Sequence, residues 1–218
     1  MHHTFRPAGA AVCSILALLI AACGASKSPT SPVDPNVLPA MDVMLAEKSL
    51  GSATAPNTII EFSSFTCPHC AAFHVTTFPQ LKAKYVDTGS VRFVFRNSPR
   101  DTDVDLTAAM LARCAGDRYF EAIAAIFSSQ GTWAAGTPTQ AVQALGQVMR
   151  NFGMSQQVID ACKSSTALRD GILQMKAQGL QQYNYQYVPT FFVTGPDGST
   201  NTLVGDKPLS EFDQLLQR

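Results

Sequence analysis

Two cysteines separated by two residues, Cys67-Pro68-His69-Cys70, are the part of this chain best suited to chemistry. Residues three apart lie on one helix face, within the Cα separation a disulfide tolerates, so such a pair can close and reopen a bridge. Other uses of the pattern are weaker here. Covalent haem attachment needs histidine directly after the second cysteine, where Ala71 stands. Zinc needs three or four converging ligands; His74 could be a third, but no second Cys/His pair follows nearby, and no metal is expected. A purely structural bridge at a helix start is the plain alternative to redox exchange.

The elements around the pair explain how it would be held. Thr58-Ile-Ile-Glu-Phe-Ser-Ser-Phe65 is β-branched and aromatic, and the stretch after Pro68 reads as helix, so strand, tight turn and helix are expected. With Cys67 as N-cap and Pro68 as first helical residue, free amides and the helix dipole would favour a Cys67 thiolate. Cys67 is expected to be exposed and Cys70 sheltered a turn deeper. His69, beside Cys67, can add positive charge or a donor to that thiolate, against the plainer reading of a solvated turn residue. His74 is given no role. Glu61 lies in a strand expected to be central, where a carboxylate is costly unless neutral or paired.

The segment Glu61-Phe-Ser-Ser-Phe-Thr-Cys-Pro-His-Cys70 resembles the active site of the DsbA family of disulfide oxidoreductases. Leu50 to Ile60 is similar to the loop entering the first core strand of DsbA-like lipoproteins, and Val188-Pro189-Thr190-Phe191-Phe192-Val193 is similar to the family's cis-proline loop and following strand. The likeness runs from about residue 40 to 218. It implies a thioredoxin fold with an inserted helical domain. It also implies that Glu61 is the family's buried acid, a proton relay for Cys70, that Pro189 is cis, and that Val188 offers its backbone to an extended substrate. Reduced exported proteins would be the substrates and a membrane quinone-linked protein the reoxidising partner, with the Cys67–Cys70 pair in place of any cofactor. His69 and Val188, where threonine is commoner in reducing relatives, point to an oxidase rather than an isomerase or reductase. Isomerase relatives usually carry an N-terminal dimerisation domain, for which residues 24–57 are too few, which weighs against an isomerase; a monomer is expected.

Between the strand Val91–Arg96 and the strand at Thr190, apolar residues recur at helical spacing: Val104/Ala108/Leu111, Tyr119/Phe120/Ile123/Phe127, Val142/Leu145/Met149/Phe152 and Leu168/Ile172/Met175. The insertion is placed at about 98–186. A hairpin around Gly195-Pro-Asp-Gly198 and a final helix from Ser210 close the chain. If Cys67 pairs with Cys70, Cys114 is left for Cys162; two buried free thiols are the alternative.

The N-terminus gives the compartment. Residues 1–23 read as an export signal ending in Ile20-Ala-Ala-Cys23, which resembles a bacterial lipobox, with Cys23 the lipidated residue. Residues 24–38, with Pro29, Pro32 and Pro35, read as an extended tether, and 39–218 as the domain. A periplasmic protein anchored by lipid is expected, or a soluble one after simple signal cleavage. With Lys and Arg matching Asp and Glu at 16 each, no basic surface for nucleic acid is implied. A surface or metal-binding lipoprotein using the fold as scaffold is the rival from another class.

Overall fold

The computed structural model describes residues 1–4, 34, 37–100 and 103–216. The chain divides into two units, Met1–Pro32 and Val33–Arg218; the sheet, the helices and the paired cysteines all belong to the second. Residues 5–23 of the export signal, the Cys23 site among them, and nearly all of the tether lie outside the described residues. Among the described residues no helix is long and apolar enough to cross a membrane.

A short helix α1 (Met41–Leu45) and an edge strand β1 (Lys48–Leu50) precede the central strand β2 (Asn57–Ser63). The sequence resemblance implies a loop leading into β2, whereas the structure forms a strand at its start. Three residues of β1 are too few for a periodic signal; the strand exists because it pairs antiparallel with β3 (Val91–Asn97). β2 runs parallel to β3 and antiparallel to β4 (Thr190–Thr194), which forms a hairpin with β5 (Thr200–Val204). The order is β1-β3-β2-β4-β5, which puts Glu61 in the middle strand, opposite Phe95 on one side and Phe191 on the other.

A parallel β2–β3 pair needs a crossover, and a helical run supplies it. It starts as α2 (Pro68–Ala72), passes through a π-helical segment (Phe73–Thr77), continues as α3 (Phe78–Leu81) and ends in a second π-helical segment (Lys82–Val86). Pro79 has no amide to donate, and one position earlier the ladder slips so that Phe78 N bonds to Phe73 O, five residues back.

Between β3 and β4 lies the helical insertion: α4 (Asp103–Arg113), α5 (Tyr119–Ser128), α6 (Gln130–Trp133), α7 (Pro138–Asn151), α8 (Gln156–Ser164) and α9 (Thr166–Tyr183). Most of the periodic apolar residues of the sequence form its core: Leu111, Ile123, Phe127, Leu145, Met149, Leu168 and Ile172 are buried, whereas Phe120, Val142, Phe152 and Met175 are half-buried. Helix α7 opens on a capping box in which Thr137 and Gln140 satisfy each other's backbone amides. Helix α9 returns across the sheet and packs on Phe62 at Gly179, where a Cβ would stand 2.5 Å from the Phe62 ring. The final helix α10 (Leu209–Leu216) seals Phe73 and Phe191 with Phe212.

Candidate active site

Strand β2 ends at Ser63, and the next three residues turn the chain into α2. That turn is held from the insertion. The buried Asp105 carboxylate of α4 accepts from Ser64 Oγ at 2.6 Å, Phe65 N at 2.9 Å, Thr66 Oγ1 at 3.1 Å and Arg100 N at 2.7 Å. Gln130 at the start of α6 donates through Nε2 to Phe65 O at 2.6 Å and Cys67 O at 3.0 Å. Neither residue stands out in the sequence, because an Asp inside a helical period and a Gln between two of them carry no local sign of the loop they bind.

Cys67 is the N-cap of α2 and Pro68 its first residue. Both Cys67 and Cys70 are free thiols here. The Cys67 thiol is pushed down to about 6, chiefly by its hydrogen bond with Cys70, then by the backbone amides of Cys70 and His69, with the His69 charge last; burial works against them. His69 thus adds to the thiolate as expected, but least of the causes: the partner thiol and the amide donors outrank an imidazole that is largely in solvent. Its ring is held to the side, Nδ1 donating to Asp206 Oδ1 at 2.9 Å. Asp206 was not foreseen, since only the β4–β5 hairpin brings it beside α2.

Cys67 is also less exposed than expected, at 5 %, because its thiol lies against the cis-proline loop and donates to Val188 O at 3.4 Å. The Val188–Pro189 bond is cis. Pro189 O accepts from Gly205 N at 2.9 Å, which ties the loop to the end of β5 and leaves the Val188 side toward Cys67. Beside it Tyr187 stands 66 % exposed, an apolar contact point that the sequence reading passed over.

Cys70 has no exposed surface. Its thiol is pushed far up, first by burial, then by its hydrogen bond to Cys67 and the charges of Cys67 and Glu61, with Ser63 nearby acting weakly the other way. Glu61 is fully buried and is paired: His74 Nε2 lies 2.9 Å from Oε2 and 3.2 Å from Oε1. The reading of His74 as a residue without a role is thus corrected. A buried carboxylate needs a partner, and it is the packing of the crossover helix on β2 that makes His74 that partner. Among the described residues no group of three His, Cys, Asp or Glu side chains is arranged to hold a metal.

Away from the pair, Cys114, just after α4, and Cys162 of α8 form a disulfide.

A five-stranded sheet with a helical insertion between β3 and β4, carrying two cysteines of opposed acidity at a helix start beneath a cis-proline, defines a thioredoxin fold of DsbA-like architecture. A thioredoxin family model matches residues 45–204, and the chain belongs to that family. Among solved structures it is similar to alpha-DsbA1 of Wolbachia pipientis, 28 % identical with a TM-score of 0.71, over 83 % of this chain and 92 % of that one. It is similar also to a protein-disulfide isomerase of Novosphingobium aromaticivorans, 26 % identical with a TM-score of 0.65, over 79 % of this chain and 98 % of the other. A protein of Rickettsia typhi named as a protein-disulfide oxidoreductase is 32 % identical over 148 residues, 67 % of this chain and 54 % of that protein. The chain spans about half the length of the curated relatives of this group.

Proposed function

We propose that the chain is a thiol–disulfide oxidoreductase that works as a dithiol oxidase on exported proteins. The observation that carries this reading is the asymmetry of the pair: an acidic Cys67 against the Val188 carbonyl, over a Cys70 with no exposed surface. A substrate thiolate attacks Cys67 of the Cys67–Cys70 disulfide and expels Cys70. The substrate's second thiolate then attacks its own sulfur in the mixed disulfide and releases Cys67 as thiolate. Because Cys67 is stabilised as thiolate, the reduced protein is favoured and the disulfide form is an oxidant. An extended substrate would pair with the Val188 backbone, whose carbonyl the Cys67 thiol occupies only in the reduced form, with Tyr187 at its side. Glu61 takes and returns the Cys70 proton.

The cysteine pair is itself the redox couple, with no separate cofactor. Reoxidation falls to a membrane quinone-linked partner, and Cys23 carries the lipid that keeps a monomeric protein at the periplasmic face of a membrane. The likeness to the Novosphingobium protein named as a disulfide isomerase favours a second reading, in which the same site reshuffles or reduces bridges. Equilibrating the pair against glutathione, and assaying oxidation of a reduced model protein beside reduction of insulin, separates the two. Oxidation should dominate. Ready insulin reduction with poor oxidation would promote the second reading.

A further inference from the structure

Cys70 is the thiol that must gain a proton when the disulfide opens and lose it when the disulfide closes, yet it has no exposed surface. During the first of these events a substrate paired with the Val188 backbone, as proposed above, would cover the front of the site and close solvent's direct way in. The Glu61 carboxylate beside it is equally closed off, its side chain having no exposed surface either. His74 is the next group along. It stands four residues beyond Cys70 in the π-helical segment, and its ring is bound to Glu61 through Nε2. That leaves Nδ1 as the ring nitrogen without a protein partner among the described residues. His74 also lines a surface groove walled by Leu50, Phe78, Pro79 and Phe120, none of which belongs to the cis-proline loop or the first turn of α2.

We propose that His74 is a positioning residue that carries the Cys70 proton between Glu61 and water in this groove, so that protons enter and leave behind the site while substrate occupies the front. The inference rests on the redox reading of Cys67 and Cys70. When substrate thiolate attacks Cys67, the Cys67–Cys70 bond breaks and its electron pair goes to Cys70 sulfur. Cys70 takes the proton of the Glu61 carboxyl, His74 reprotonates Glu61 through Nε2, and Nδ1 takes a proton from water or a buffer acid in the groove. On closure, with Cys67 held in a mixed disulfide with the oxidant, the order reverses: Nδ1 of His74 releases a proton to the groove, Nε2 takes the Glu61 proton, Cys70 gives its proton to Glu61, and the Cys70 thiolate attacks Cys67 and expels the oxidant's sulfur as thiolate. An imidazole suits this because its two nitrogens can face different surroundings and exchange roles. The π-helical segment matters as well, since it is the local helix geometry that sets how the His74 ring meets Glu61.

The titratable groups around His74 do not substitute for it. Glu61 faces it from β2, and the thiols of Cys67 and Cys70 precede it on the same helical run. Tyr119 of α5 is raised to about 12, first by burial, and so stays a phenol at working pH. Lys82, Asp117 and Glu121 line the groove mouth. Phe127 stacks on the ring at 4.4 Å and Phe95 meets it at an angle at 5.5 Å, and neither carries a proton.

The test uses reduced protein mixed with excess oxidised glutathione, quenched with acid at intervals, alkylated and resolved by mass. Cys67 first forms a mixed disulfide, and Cys70 then expels glutathione in a unimolecular step that needs its proton removed. His74→Gln, which keeps a donor to Glu61 but cannot carry a proton, should slow that second step about tenfold and make it rise with hydroxide across neutral pH. His74→Ala should be slowed likewise and restored by imidazole added to the buffer. Ala124→Trp, at an exposed position that narrows the groove, should slow the step without touching the ring. An unchanged rate and pH slope in His74→Gln would overturn the proposal. So would a slowed step with an unchanged slope and no restoration by imidazole, because that is the mark of lost packing on Phe127. Failure of wild type to form the mixed disulfide at all would instead remove the redox reading, and this inference with it.

Discussion

At the scale of single residues the acidity of Cys67 is set by donors ranked in a definite order, with the Cys70 thiol first and the His69 charge last. That order is testable by truncation. Cys70→Ala removes the leading contribution and should raise the Cys67 value well above about 6, whereas Cys70→Ser keeps a donor and should hold it low. His69→Ala removes a charge but leaves the backbone amide, so its shift should be the smaller; thiolate absorbance against pH ranks all three. If His69→Ala moves the titration more than Cys70→Ala, the amide account fails. The same acidity links stability to pH. A folded-state value below that of an ordinary thiol stabilises the reduced protein in full above 9.0, and that gain is lost as pH falls through about 6. The reduced form should therefore gain on the oxidised form between those limits, seen in paired melts of the two.

The elements show why the pair keeps its geometry. Helix α2 is five residues long, too short to be stable by itself, and its start is held by residues far away in sequence. Asp105 collects four donors around the turn, and Gln130 grips two carbonyls. Cys67 O has a second partner in Ala71 N, but Gln130→Ala would strip Phe65 O of the donor described for it. A buried carbonyl left unmet costs about 2 kcal/mol, so urea unfolding should shift by that amount with an unchanged slope. A loss well below this would mean that water takes the amide's place. Within α3 Pro79 has no amide to donate, and one position earlier the ladder slips at the end of the π-helical segment that carries His74.

Over the whole molecule, the insertion and the sheet are one cooperative structure as far as the site is concerned, since both supply its walls. The buried Arg113 of α4 reaches across to Asn97 Oδ1 at 2.7 Å and Met44 O at 2.6 Å, tying the insertion to β3 and α1. The Cys114–Cys162 bridge closes a loop with a sequence separation of 48 inside the insertion. In the chain-entropy model this contributes roughly 4 kcal/mol. Replacing both cysteines by serine should lower the unfolding free energy by a comparable amount while the glutathione equilibrium of Cys67 and Cys70 stays in place. A changed equilibrium would show that the bridge reaches the site through α4 and Asp105.

The amino-acid sequence alone determined what is local: the cysteine pair, the strand-turn-helix that presents it, the helical periods of the insertion and the hairpin turn, because each rests on residue types within one or two turns of chain. The fold class followed from the order of those elements and from the resemblance carried by the two active-site segments. What only the tertiary structure decided is every contact made between distant segments. The partners of Glu61, His69 and the turn at Ser64–Thr66 are His74, Asp206, Asp105 and Gln130, and apart from Glu61 with His74 they stand tens of residues apart in the chain. A hydrogen bond of about 3 Å requires side chains to converge in space. Sequence spacing registers that convergence only within one element, and so the buried pair beneath Cys70 became visible only when β2 and the crossover helix were packed together.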